Sequence, residues 1–207
     1  MSPQRSNRAQ IIEGTLRCLE RLPPEQVTAR VIARESGANL ASITYHFGSK
    51  DNLITEAVIE GLDRWLAEIA GAMGEVESVP PAKRFARSGE LLDASAKRHA
   101  GLAKNFIAAL ARAQHDERVR ELLASGFGRA RSRIAELLGL GDDQAASNAA
   151  GVVLAIFNGL LFQALLDPDL AIEGEQRDEA LARLREVLPE PAVAVPDVSI
   201  RPPPEPA

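Results

Sequence analysis

Apolar residues recur at helical spacing along most of the chain, and no run alternates with the period of two that marks a half-buried strand. Residues 5–22 place Ala9, Ile12, Leu16 and Leu19 on one face, and Pro23-Pro24 ends the pattern. Two short helical stretches follow before Phe47. A longer one runs from a capping Ser49 to about Met73, with Ile54, Val58, Leu62, Trp65 and Ile69 along its apolar stripe. Further helices are predicted over 82–98, 101–115, 117–139, 143–166 and 174–188, separated at Gly101, near Asp116, at Gly139-Leu140-Gly141 and at Asp167-Pro168-Asp169. The pattern predicts an all-α chain of about nine helices. It divides into an N-terminal part of short helices (1–50), a larger helical bundle (51–188) and a proline-rich tail (189–207) expected to be disordered.

The segment from Val27 to Ile54 is the most informative. Thr28 stands where an N-cap belongs, with Val27 and Ile32 at the N′ and N4 positions of a hydrophobic staple. Ala33 and Gly37 are small where two helices are expected to cross, and Gly37 can adopt the positive φ of a tight turn. Asn39 caps a second helix that turns Ile43 and Phe47 inward and leaves Leu40, Ala41, Ser42, Thr44, Tyr45 and His46 for its other faces. This is the layout of a helix-turn-helix, whose second helix enters the major groove of DNA.

These residues resemble the DNA-binding domain of the TetR (TetR/AcrR) family of bacterial transcriptional regulators. The likeness runs from the Thr28-x-x-x-Ile32-Ala33 start, through Gly37, to Ile43-Thr44-Tyr45-His46-Phe47 and Ser49-Lys50-x-x-Leu53. Thr44 departs from it, because family members often carry tyrosine there. Thr28, Tyr45, His46 and Lys50 are donors suited to phosphate, aided by the backbone N–H groups at two helix N-termini. Arg30, Ser42 and Thr44 are expected to read bases, with Leu40 and Ala41 against thymine methyls. Aligned positions in family members make DNA contacts, so the resemblance implies the same division.

Net charge sharpens this picture. The chain carries −5, unusual for a nucleic-acid binder, yet residues 1–50 hold seven Arg or Lys against four Glu, a net of +3. The remaining residues therefore carry −8, which discourages the body from lying on DNA. The 45% apolar content suffices for a core. The single cysteine, Cys18, rules out a disulfide within one chain, fits a reducing cytoplasm and is expected to be a small core residue. No run of about 18 apolar residues suggests a membrane span, and no secretory signal opens the chain, so a cytoplasmic protein without membrane contact is expected.

Residues 152–168, VVLAIFNGLLFQALLDP, carry a second resemblance to the same family, through Asn158, Gly159, Leu160, Gln163, Leu165, Leu166, Asp167 and Pro168. A helix apolar around most of its circumference must be covered on several sides. Val152, Ile156, Gly159, Leu160 and Gln163, with Leu181, Leu184 and Leu188 of the last helix, are expected to form a homodimer interface as a four-helix bundle. The resemblance further implies a pocket for a small-molecule effector. Phe85, Phe106, Phe127 and Phe162, with His99, Asn105 and Gln163 as polar orienters, are candidates to line it, favouring an apolar or aromatic compound. His99 and His115 lack the partners of a metal site, and no cofactor or catalytic motif is found, so no enzyme is expected. The expected function is a ligand-responsive repressor that binds a pseudo-palindromic operator as a dimer. An activator with the same DNA-binding mode and a helical adaptor that has lost DNA binding are the alternatives.

Overall fold

The computed structural model describes residues 3–74 and 78–188. Among them the chain forms nine α-helices and no strand: α1 (Pro3–Arg21), α2 (Ala29–Ser36), α3 (Leu40–Phe47), α4 (Lys50–Met73), α5 (Pro81–Ala96), α6 (Ala100–Arg112), α7 (Glu117–Leu138), α8 (Gln144–Leu166) and α9 (Gly174–Val187). Short 3-10 turns at Pro24–Gln26 and Pro168–Leu170 follow α1 and α8. The expected proline-rich tail lies outside the described residues.

Side-chain caps set most of the helix starts. Thr28, Asn39, Ser49, Asp116 and Asp143 each accept a hydrogen bond from a backbone N–H three residues on, which satisfies donors that the helix itself leaves free. Gly37 ends α2 at φ +67°, a left-handed conformation that costs glycine nothing, and its N–H returns to the carbonyls of the last turn. Val27 and Ile32 are fully buried, as a staple requires.

The closest crossing of α1 and α2 lies elsewhere than at Ala33 and Gly37. A Cβ on Gly14 would stand 2.5 Å from Ser36 Cβ and 2.7 Å from Ser36 Cα, so Gly14 lets the two backbones approach. Ser36 tolerates burial because its hydroxyl donates to the Ile32 carbonyl at 2.7 Å. Gly101 performs the same service where α6 meets the end of α1, since a side chain there would strike the Leu19 carbonyl oxygen.

One apolar core unites the first seven helices. Ile11, Leu19, Ile32, Ile43, Phe47, Leu53, Val58, Trp65, Phe106 and Leu123 belong to a single buried cluster. A smaller cluster of Ile134, Ala135, Leu138, Ala146 and Ala150 joins α7 to α8. The division at residue 50 therefore separates surfaces and not cores. A compact unit extends to Gly174, and the residues from Glu175 onward, which include most of α9, form a second. Cys18 is buried in the first unit, and that burial pushes its thiol above the usual range, which fits an inert packing role.

The Gly14 crossing yields a test. On helix propensity alone Gly14→Ala should stabilise the protein by about 1 kcal/mol. The contact with Ser36 reverses the sign, and a net loss of about 1–3 kcal/mol is expected from overpacking. Urea unfolding measures it, and a stabilised variant would refute the close approach.

Candidate functional site

The exposed face of the helix-turn-helix is built around α3, flanked by the first turns of α2 and α4. Leu40, Ala41, Thr44 and Tyr45 face solvent, and Tyr45 is 74% exposed, far more than an aromatic ring needs for packing. Ile43 and Phe47 anchor the opposite side in the core. Ser42 and His46 are half-buried at the margins. Asn39 Oδ1 accepts from the Ser42 N–H at 2.7 Å, and Asn7 Nδ2, from the start of α1, donates to Ser42 Oγ at 3.4 Å. The His46 ring stands edge-on to Tyr45 at 5.0 Å between centroids and to Phe47 at 6.2 Å. Thr28 Oγ1 accepts from the Val31 N–H at 3.3 Å, which leaves its hydroxyl proton free to donate outward. Arg30 lies exposed in the first turn of α2 and Lys50 in the first turn of α4.

Basic charge in this region is unequally available. Arg8 pairs with Glu56 and lies over the Phe47 ring at 5.1 Å. Arg17 and Arg21 both hold Glu35, at 2.7 Å each, and the Arg17 hydrogen bond keeps that carboxyl below its ordinary range. Lys50 is paired only with its neighbour Asp51 at 3.3 Å, an exposed contact worth little. Among the described residues Arg30 and Arg34 make no ion pair. Arg34, one helical turn beyond Arg30, is thus a further candidate for phosphate, and its i, i+4 spacing from Arg30 was its sequence signal. Asn7 had no such signal, since 35 residues separate it from Ser42.

A cavity of about 140 Å³ opens in the body between α4, α5, α6, α7 and α8. Of the candidate lining residues, Phe106 and Phe127 reach it. Phe162 packs behind Phe106 at 6.1 Å, and Phe85 stands behind Phe157, a lining residue, at 5.3 Å. The three polar candidates do not line it. His99 stacks on Trp65 at 4.7 Å and directs its ring nitrogen to Glu68. Asn105 is buried but donates to the Gly101 carbonyl of its own helix at 2.9 Å. Gln163 is exposed and turns back to the Gly159 carbonyl. Instead α4 supplies Ile59, Leu62, Asp63, Trp65 and Ile69, while α8 adds Phe157 and Asn158.

Helix α8 is apolar and largely uncovered. Only Ala146 and Ala150 are buried, Val152 is 61% exposed, and Ile156, Gly159 and Leu160 are half-exposed. By length and composition it is long and apolar enough to cross a membrane. This corrects the expectation that no segment reaches that length. Ser147, Asn148, Asn158 and Gln163 interrupt the run without outweighing its leucines, valines and phenylalanines. On α9, taken by itself, Leu181 is half-buried and Leu184 and Leu188 are exposed.

Two family models match the chain. The one described as "Bacterial regulatory proteins, tetR family" covers residues 11–57. The one described as "BetI-type transcriptional repressor, C-terminal" covers residues 88–189. Solved structures share the fold. A transcriptional regulator from Pseudomonas aeruginosa PAO1 is 22% identical, with 90% of this chain and 91% of that one covered and a TM-score of 0.63. The multidrug binding protein EbrR, complexed with ethidium, is 23% identical over 86% of this chain and 98% of its own, with a TM-score of 0.64. A regulator from Saccharomonospora viridis in complex with choline is 24% identical over 87% and 95%, with a TM-score of 0.58. No curated protein matches.

The expected division between phosphate and base contacts can be tested by substitution. Lys50→Ala is expected to weaken binding to every duplex alike and flatten the salt dependence by about one unit, as for one lost phosphate contact. Arg30→Ala is expected to relax preference at one base position, by about 1–3 kcal/mol if the contact is bidentate. Gel shifts over a set of single-base operator variants measure both, and equal, sequence-independent losses would count against the division.

Proposed function

Since the chain belongs to the TetR family of bacterial transcriptional regulators, we propose that it is a dimeric repressor which releases a pseudo-palindromic operator when a small apolar molecule fills its cavity. The observation that carries this reading is the double use of α4. Its first turn presents Lys50 at the DNA-binding face, and its middle supplies Ile59, Leu62, Trp65 and Ile69 to the cavity wall. A compound that displaces that wall moves the head with it. Residues 1–50 act as the DNA-binding part and 51–188 as the regulatory part. Repression, and not activation, is favoured by the repressor model matched across residues 88–189. The protein acts in the cytoplasm and catalyses no reaction in this reading.

Dimerisation is supported by the uncovered face of α8. Two recognition helices must stand about 34–36 Å apart, or a multiple of it, to engage both half-sites, and only a fixed pair of protomers can hold that spacing. The apolar face of α8, repeated by a two-fold axis, supplies the missing cover. A Cβ on Gly159 would meet nothing within 4 Å in the protomer, so Gly159→Arg leaves the protomer's own packing untouched. It is expected to sediment as a folded monomer or as aggregates and to lose operator binding, because a buried unpaired charge is costly at the interface. A Gly159→Arg dimer that still binds operator would remove α8 from the interface.

Induction is tested by reciprocity. With 1–3 kcal/mol of coupling, an effector should lower operator affinity roughly 5- to 150-fold, and operator should lower effector affinity by the same factor. Each compound that raises the melting temperature is titrated with and without operator. Identical affinities in the two titrations for every such compound would sink the ligand switch.

A further inference from the structure

Four polar side chains line the cavity among the described residues: Asp63, Trp65, Ser88 and Asn158. Three are already engaged. The Trp65 indole N–H donates to Ser95 Oγ at 2.7 Å, and Ser88 Oγ donates to the Phe85 carbonyl at 2.8 Å. Asp63 Oδ2 accepts from Arg129 Nη2 at 3.0 Å and from Nε at 3.2 Å, while Arg129 is tied further to Ser125 Oγ at 3.0 Å. Asn158, the fourth, makes no hydrogen bond with its side chain among the described residues.

We propose that this cavity selects a small, uncharged, single-ring compound whose one hydrogen-bonding group pairs with Asn158. The proposal rests on the ligand-switch reading and names the chemistry of the same site. Size supports one ring, since a cavity of about 140 Å³ is close to the roughly 150 Å³ that admits benzene in an apolar protein interior. Charge is disfavoured from both directions by the Asp63–Arg129 pair. A cation would find Asp63, the only charged lining residue among those described, already held by Arg129. An anion would meet the Asp63 carboxylate itself. Either ion would leave water without an available counter-charge, which is far more costly than moving a neutral group. An amide both donates and accepts, so a phenol, an alcohol or a neutral carbonyl can satisfy Asn158 while its ring lies among Phe106, Phe127 and Phe157.

A matched series tests this: p-ethylphenol, ethylbenzene, p-ethylbenzylammonium and p-ethylbenzoate, each titrated calorimetrically into the full-length protein. The phenol is expected to bind tightest, and each ion at least roughly 100-fold more weakly. Asn158→Leu is expected to cost the phenol roughly tenfold and leave ethylbenzene unchanged or improved, as for one lost hydrogen bond. Arg129→Ala should raise the affinity of the ammonium compound by releasing Asp63. Ethylbenzene reports whether each variant keeps its cavity, and the series on the unaltered protein stands whatever the variants do. An ion that binds as tightly as the phenol overturns the proposal. So does an Asn158→Leu protein that loses phenol and ethylbenzene in equal measure, or the failure of all four compounds to bind. Operator release is read separately. Release by the ammonium compound, bound as tightly as the phenol, overturns the chemistry and keeps the switch. Phenol bound through Asn158 with operator affinity unchanged keeps the chemistry and overturns the switch.

Discussion

The backbone hydrogen bonds of α4 are the constraint on which the rest of the protein depends. Twenty-four residues of unbroken helix span about 36 Å and bend only at an energetic cost. Helices α1, α3, α5, α6 and α7 all pack on it. Arg64 on its outer face holds Glu13 of α1 and Glu60 of α4 together, which fixes the head to the rod from outside as the core fixes it from within. Gly14 and Gly101 bring α1 close to α2 and α6, and Gly61 does the same on α4 itself, where a Cβ would stand 2.7 Å from Leu102 Cδ1.

A second constraint is left unmet by the protomer. Folding normally hides a helix as apolar as α8, yet none of its valines and leucines is fully buried, and Val152 and Leu166 lie mostly in solvent. The chain thus folds around α4 and remains incomplete around α8. In the proposed dimer, that division would leave the two protomers joined at α8, and the spacing of the heads would follow from that one seam.

Much of this was legible in the sequence because its signals are local. Helix limits followed from periodicity and from caps such as Thr28, Asn39 and Ser49, whose hydrogen bonds span only three residues. The inward turn of Ile43 and Phe47 needed nothing beyond their spacing. The illegible features join distant positions. The contact of Gly14 with Ser36 and the pairing of Asp63 with Arg129 depend on how helices cross, and no periodicity encodes that. The cavity was harder still. His99 and Asn105 were plausible orienters by type, but a stacking ring and a carbonyl of the same helix engaged them first. Asn158 stood within a recognised stretch without its direction being readable, since a helix apolar on all sides gives no phase.

The ion pairs that tie down Arg8, Arg17 and Arg21 have a consequence for how the protein searches a genome. Attraction to arbitrary DNA grows with the number of cations free to displace counterions from phosphate. Glu56 and Glu35 offset the charge of those three arginines, so each head carries a smaller net positive field toward sequence it does not recognise. The acidic body lowers that attraction further. Random sites, which outnumber any operator by orders of magnitude, then sequester little of the pool. In the proposed repressor, a small number of copies per cell would then suffice to keep an operator occupied, and the search would proceed by frequent dissociation and re-encounter more than by long sliding.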